Sequence, residues 1–119
     1  MKALLIDSKN RLVKQIEIDE HYTEISKAIG CEVFAAPHIM QDNDTLYCDD
    51  EGLLKNPEYF FLLDSYPQPL AGNGLILGCD DEGESTDVSM SLTELSSRVT
   101  FMNMQEAYNW SLKQSYQFN

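Results

Sequence analysis

Two copies of a carboxylate-rich heptad are the strongest chemical signal in the sequence. Leu46-Tyr47-Cys48-Asp49-Asp50-Glu51-Gly52 recurs as Leu77-Gly78-Cys79-Asp80-Asp81-Glu82-Gly83, identical at six of seven positions. Clustered carboxylates hold hard cations or meet basic partners. The calcium-loop pattern fails, because that loop needs acids at its first, third and fifth positions and glycine at its sixth. Counting back from Gly52 puts Tyr47 first, and counting back from Gly83 puts Gly78 first. Two boxes meeting in space are the remaining route to a shared cation; solvated turns at strand ends are the default. Identical words predict equivalent turns, with each glycine at positive φ. With Glu84 added, the boxes define a candidate acidic interaction surface: Asp49, Asp50, Glu51, Asp80, Asp81, Glu82 and Glu84.

The other reactive residue types lack supporting partners. Cys31, Cys48, Cys79, His21 and His38 show no zinc-ligand spacing. Cys48 and Cys79 adjoin carboxylates, which raise a thiol pKa, whereas a nucleophilic cysteine needs a cation beside it. No serine sits in a nucleophile elbow, and no Walker pattern is present. Gly72-Asn73-Gly74 followed by Gly78 precedes an apolar run, whereas a dinucleotide fingerprint follows a strand and opens a helix. No catalytic residue, metal or cofactor is therefore assigned, and a non-enzymatic protein is expected. Tyr66, Pro67, Pro69 and Asn73, beside Tyr59-Phe60-Phe61, make a candidate loop groove. Aromatics at strand spacing are more often core.

Charge narrows the class of partner. The chain carries a net charge of −12, and between Met40 and Leu95 thirteen acids face Lys55 alone. Such a surface opposes direct binding to a phosphate backbone or to anionic lipid. The N-terminus, MKALLIDSKN, is broken by Asp7, Lys9 and Asn10 and does not read as a signal peptide. No apolar run approaches a membrane span. Three cysteines without a Cys-x-x-Cys pair suit reduced thiols, so the expected location is the cytoplasm.

The elements that must position these residues follow from periodicity. Lys2–Ile6 and Arg11–Ile18 predict a hairpin, and Cys31–Ala36, stopped by Pro37, a third strand. Thr45–Cys48, Tyr59–Leu63 and Leu75–Leu77 predict further strands, with Tyr59–Leu63 central. A helix over Glu20–Ile29 is capped by Asp19 and stopped by Gly30, with Tyr22, Ile25, Ala28 and Ile29 on one face. Ser91-x-x-Glu94 opens a second helix over Leu92–Val99, burying Leu92, Leu95, Val99 and Met102. Asn103 with Glu106 opens a C-terminal helix aligning Met104, Tyr108 and Leu112. The fold class is α+β: a single domain with a mostly antiparallel sheet of about five or six short strands and two helices on one face. Residues 1–102 form that domain, and residues 103–119 a polar-aromatic extension whose Tyr108, Trp110, Tyr116 and Phe118 are expected to pack on the sheet or pair two subunits.

YCDDEGLLKNPEYFF, YPQPLAGNGLILGCDDEGE and SLTELSSRV, with MKALLID and a helix ending in IGC, carry a resemblance across residues 1–102. They are similar to a family of small phage and conjugative-plasmid proteins catalogued as a domain of unknown function (DUF3846-like). The resemblance implies a mobile-element setting and assigns no activity. The expected function is an accessory protein that binds a basic host or element protein through its acidic surface, as an inhibitor or a mimic of nucleic-acid charge. The alternative is a small-ligand or cation-binding module using the Asp-Asp-Glu-Gly loops or the proline-rich loop. A metal-dependent hydrolase ranks last.

Overall fold

Strands β1 (Lys2–Asp7) and β7 (Gly74–Cys79) are apolar on both faces because both faces are covered. The computed structural model describes residues 1–19 and 22–117, leaving out the side chains of Tyr22, Gln41, Ser115, Tyr116 and Gln117. The predicted start of the first helix at Glu20, together with His21 and Phe118, lies outside the described residues.

β1 and β7 sit in an antiparallel sheet with β2 (Leu12–Glu17), β4 (Thr45–Asp49) and β3 (Phe34–Ile39), in the order β2-β1-β7-β4-β3. The short β8 (Ser85–Thr86) extends it by pairing with the end of β7. A second sheet of three strands places β5 (Tyr59–Leu63) between β6 (Leu70–Ala71) and β9 (Val99–Asn103). The α+β class and the antiparallel pairing are as the sequence implies.

Alternation along β1 sorts the core into layers. Ala3 and Leu5, with Leu75 and Leu77, pack beneath Ile25 and Ile29 of α1 (Tyr22–Ile29). Leu4 and Ile6, with Leu46 and Ile76, pack against Phe61 and Leu63 of the second sheet and Leu95 of α2 (Leu92–Arg98). Phe60 and Met102, on the far face of that sheet, meet Ala107 of α3 (Met104–Gln117). Gly74 makes the sheet-on-sheet contact possible, since a Cβ there would lie 2.7 Å from Phe61 Cζ.

Three expectations change. The helices α1 and α2 lie on opposite faces of the main sheet, because the β1 face turned from α1 is itself apolar and needs its own cover. β3 runs through Pro37: as an edge strand with a bulge between Ala35 and His38, it tolerates a missing amide donor. Val99 and Met102 belong to β9 rather than to a helix face, and Leu92 is exposed. Val99 and Phe101 pack on one side of this strand and Met102 on the other, a period of two.

Two of the three caps read from sequence are present, at Ser91 and Asn103; the Asp19 cap would act across Glu20 and His21, outside the described residues. Glu94 N donates to Ser91 Oγ at 3.1 Å. Asn103 and Glu106 cap reciprocally: Glu106 N donates to Asn103 Oδ1 at 2.8 Å and Asn103 N to Glu106 Oε1 at 3.1 Å. The Asn103 amide, and then Arg11, hold the Glu106 carboxyl below its ordinary pKa. Gly30 ends α1 at φ 85, with the amides of Gly30 and Cys31 both donating to Ser26 O.

One buried acid carries no sequence signal, since Gln41–Asp44 reads as a polar turn. Asp44 is 1% exposed, and its carboxylate accepts from Ser89 N at 2.8 Å and Met90 N at 2.9 Å. It fastens the segment before α2 to the start of β4. Asp44→Ala would strand both amides, and we expect a loss of about 3 kcal/mol in urea unfolding. An unchanged midpoint and slope would show that this tie carries no load.

Candidate interaction surface

The two acidic boxes end two neighbouring strands, and that adjacency separates them. β4 and β7 pair antiparallel, Thr45 with Leu77 and Cys48 with Gly74, so their C-terminal ends point opposite ways. At ~3.4 Å per residue, Asp49 and Asp80, seven residues apart in register, stand roughly 24 Å apart along the strands. A cation shared between the boxes is therefore ruled out by geometry. Among the described residues, no three His, Cys, Asp or Glu side chains gather as a metal site.

The repeat holds for one step and then diverges. Asp49 Oδ1 accepts from Glu51 N at 2.9 Å, and Asp80 Oδ1 accepts from Glu82 N at the same distance. Each box thus opens with an aspartate bonding two residues ahead, a turn this side chain forms readily. Asp80 Oδ1 then also accepts from Glu84 N, and Gly83 at φ 84 closes a tight return into β8. Gly52 is corrected: among the described residues only Gly30, Gly72 and Gly83 are glycines with positive φ. Gly52 instead enters a short 3-10 turn, Gly52–Lys55, where a Cβ would lie 3.1 Å from the Ala71 carbonyl oxygen. Close backbone approach, not a left-handed turn, explains this glycine.

The two rims differ in charge. Lys55 Nζ lies 2.7 Å from Asp49 Oδ2, and Lys9 and Lys55 line one cavity of about 270 Å3 with Asp49, Glu58 and Asn73. Asp50 and Glu51 are exposed on this mixed rim. At the other end, Asp81, Glu82 and Glu84 are exposed, and among the described residues no ion pair engages them. A polar cavity of about 320 Å3, lined by Asp42, Asp44, Ser89, Ser91, Glu94 and Arg98, opens at the same end. Its one guanidinium is directed to Asp64, 2.8 Å from Arg98 Nε. Besides Arg98, Lys2 and the Met1 ammonium stand at this end, and the ammonium is held by the Ile18 carbonyl and Glu17. The seven acids proposed from sequence thus form two surfaces, of which Asp80, Asp81, Glu82 and Glu84 share the strongly acidic one.

The candidate groove is not assembled. Tyr66 packs on the core with its ring 5.5 Å from that of His38, and Pro67 is exposed. Pro69 and Asn73 line different cavities. Asn73 Oδ1 accepts from Ser8 N at 3.0 Å, while Ser8 Oγ donates to the Gly72 carbonyl, so Asn73 locks the first hairpin turn to the start of β7. Phe60 and Phe61 are core. His38 Nε2 lies 3.0 Å from Ser65 Oγ, the nearest approach to a nucleophile and base. Among the described residues no carboxylate bonds its other ring nitrogen to orient it.

Comparison with protein families decides membership. A family model described as a domain of unknown function (DUF3846) matches residues 1–100. The chain belongs to this family. Comparison with curated proteins and with solved structures gives no match. The matched segment includes both boxes and ends within β9, ahead of α3. No described helix is long and apolar enough to cross a membrane.

Two thiols, Cys31 and Cys48, are poor nucleophiles. Burial, then Asp49 and Asp50, push the Cys48 thiol up to about 11 from its ordinary 9.0. Burial first and Asp49 second also raise Cys31. An acid with a raised folded pKa contributes stability that is intact below its unfolded pKa and lost as pH climbs towards the folded one. Stability should therefore fall between pH 9 and about 11, and Cys48→Ala should flatten that limb. A limb of the same slope in Cys48→Ala would reject the assignment.

Proposed function

We propose that this protein is a non-enzymatic binding module that docks a basic partner protein on the rim formed by Asp80–Asp87, Asp42 and Glu94. The observation that carries this reading is the asymmetry between the ends of the main sheet. Lys9 and Lys55 stand among the acids at the Asp49 end, whereas at the Asp80 end Asp81, Glu82 and Glu84 are exposed, with no ion pair among the described residues, beside a cavity whose Arg98 is directed to Asp64. A rim of this kind speeds encounter with cationic surfaces and seats a lysine or arginine side chain. Carboxylates spaced along a projecting hairpin suit the mimicry of a phosphate chain, and so the occupation of a basic cleft. The phage and plasmid setting implied by the sequence resemblance supports a host protein as the partner class, with the bacterial cytoplasm as the place of contact.

The test compares two neutralised variants in capture from host lysate, each binding protein identified and its charge recorded. Asp49 and Asp80 stay unchanged, since both hold turns. We expect Asp81→Asn with Glu82→Gln and Glu84→Gln to lose the captured basic protein while keeping the parent's melting temperature. Asp50→Asn with Glu51→Gln should retain it, and raised salt should weaken capture by the parent. Equal loss from both variants, or no basic protein held at low salt, would defeat the proposal.

A further inference from the structure

The C-terminal helix leaves its most apolar stripe uncovered. Ala107 and Trp110 face the second sheet, so Met104, Tyr108 and Leu112, aligned at four-residue spacing, point outward. They are 54%, 59% and 40% exposed. Leu53 and Leu54, on the Gly52–Lys55 turn, are 69% and 81% exposed. Leu53, Pro69, Met104 and Tyr108 line one cavity of about 240 Å3, which joins turn and helix into a continuous apolar surface. Exposed apolar area gathered in this way marks a contact site.

We propose that two copies of this chain pair through α3, with Tyr108 at the twofold axis and Leu112 of each copy beside Met104 of the partner subunit. Electrostatics selects a second copy as the occupant. Two chains of net charge −12 repel, so they can meet only where carboxylates are sparse. From Met104 to Gln117 the sole charges are Glu106 and Lys113, and Glu106 is already tied to Arg11 at 3.2 Å. A basic partner gains nothing from this neutral stripe, and its place is the rim at Asp80–Asp87. An isologous pair also brings each apolar groove to the other copy's helix. The five side chains offer on the order of 500 Å2 per copy, or about 1,000 Å2 in the pair, the lower bound for a specific interface.

The experiment is sedimentation velocity on the full chain from low micromolar to submillimolar concentration, at two ionic strengths. We expect a monomer–dimer equilibrium that tightens with salt, as screening relieves repulsion between the acidic bodies. Tyr108→Glu should weaken it by roughly tenfold or more. Its far-ultraviolet spectrum and melting temperature at low concentration should match the parent's. Leu112→Ser, a milder change to an exposed position, guards against misfolding of the glutamate variant and should weaken pairing in the same direction. The rim variant at Asp81, Glu82 and Glu84 should pair at least as well as the parent, so loss of pairing and loss of partner capture are separable. A parent that stays monomeric throughout, or a folded Tyr108→Glu variant that pairs as the parent does, overturns the proposal.

Discussion

A buried carboxylate, Asp44, holds the acidic rim in place. Its two oxygens take the amides of Ser89 and Met90, and a second clasp lies alongside: Lys2 N donates to Asp87 Oδ1, and Val88 N to Lys2 O. Together these bonds strap residues 87–90 across the end of the main sheet. Val88 and Met90 are thereby pressed into the core, while Asp81, Glu82 and Glu84 are left projecting on the hairpin between β7 and β8. Burying polar oxygens is costly unless they are hydrogen-bonded, and two backbone donors meet that need here. Asp44, Asp80 and Asp87 are thus committed to architecture, while Asp81, Glu82 and Glu84 are left exposed.

Antiparallel pairing turns one sequence repeat into two different places. Because β4 and β7 are neighbours running opposite ways, identical acidic words land at opposite ends of the sheet. Local physics is shared, since each leading aspartate caps its own turn. Context then diverges. Ala71 crowds Gly52 and Lys55 neutralises Asp49, whereas Gly83 is open and turns the chain back on itself. The charge surplus of the chain thus becomes a directional property of the fold.

Much of the scaffold was legible in the residues. Apolar runs marked β1, β4, β5 and β7, and the capping words at Ser91 and Asn103 marked the starts of α2 and α3 to within a residue. What escaped depended on contacts distant in sequence. Phe60 and Phe61 read as one aromatic run, and only the second sheet reveals that they serve different layers. Val99–Met102 carries apolar residues at both helical and strand spacing, and pairing with β5 settles the choice. Asp44 looks like any turn aspartate, since its partners lie 45 and 46 residues away. The seven acids were visible, but their division between two rims requires the register of β4 on β7.

The most direct measurement is amide chemical-shift mapping with a short lysine-rich peptide at low ionic strength. Saturable shifts are expected at Asp42, Asp80–Asp87 and Glu94, with small shifts at Asp49–Gly52 and loss of both with added salt. Shifts of equal size at the two ends of the sheet, or a larger response around Asp50 and Glu51, would contradict it.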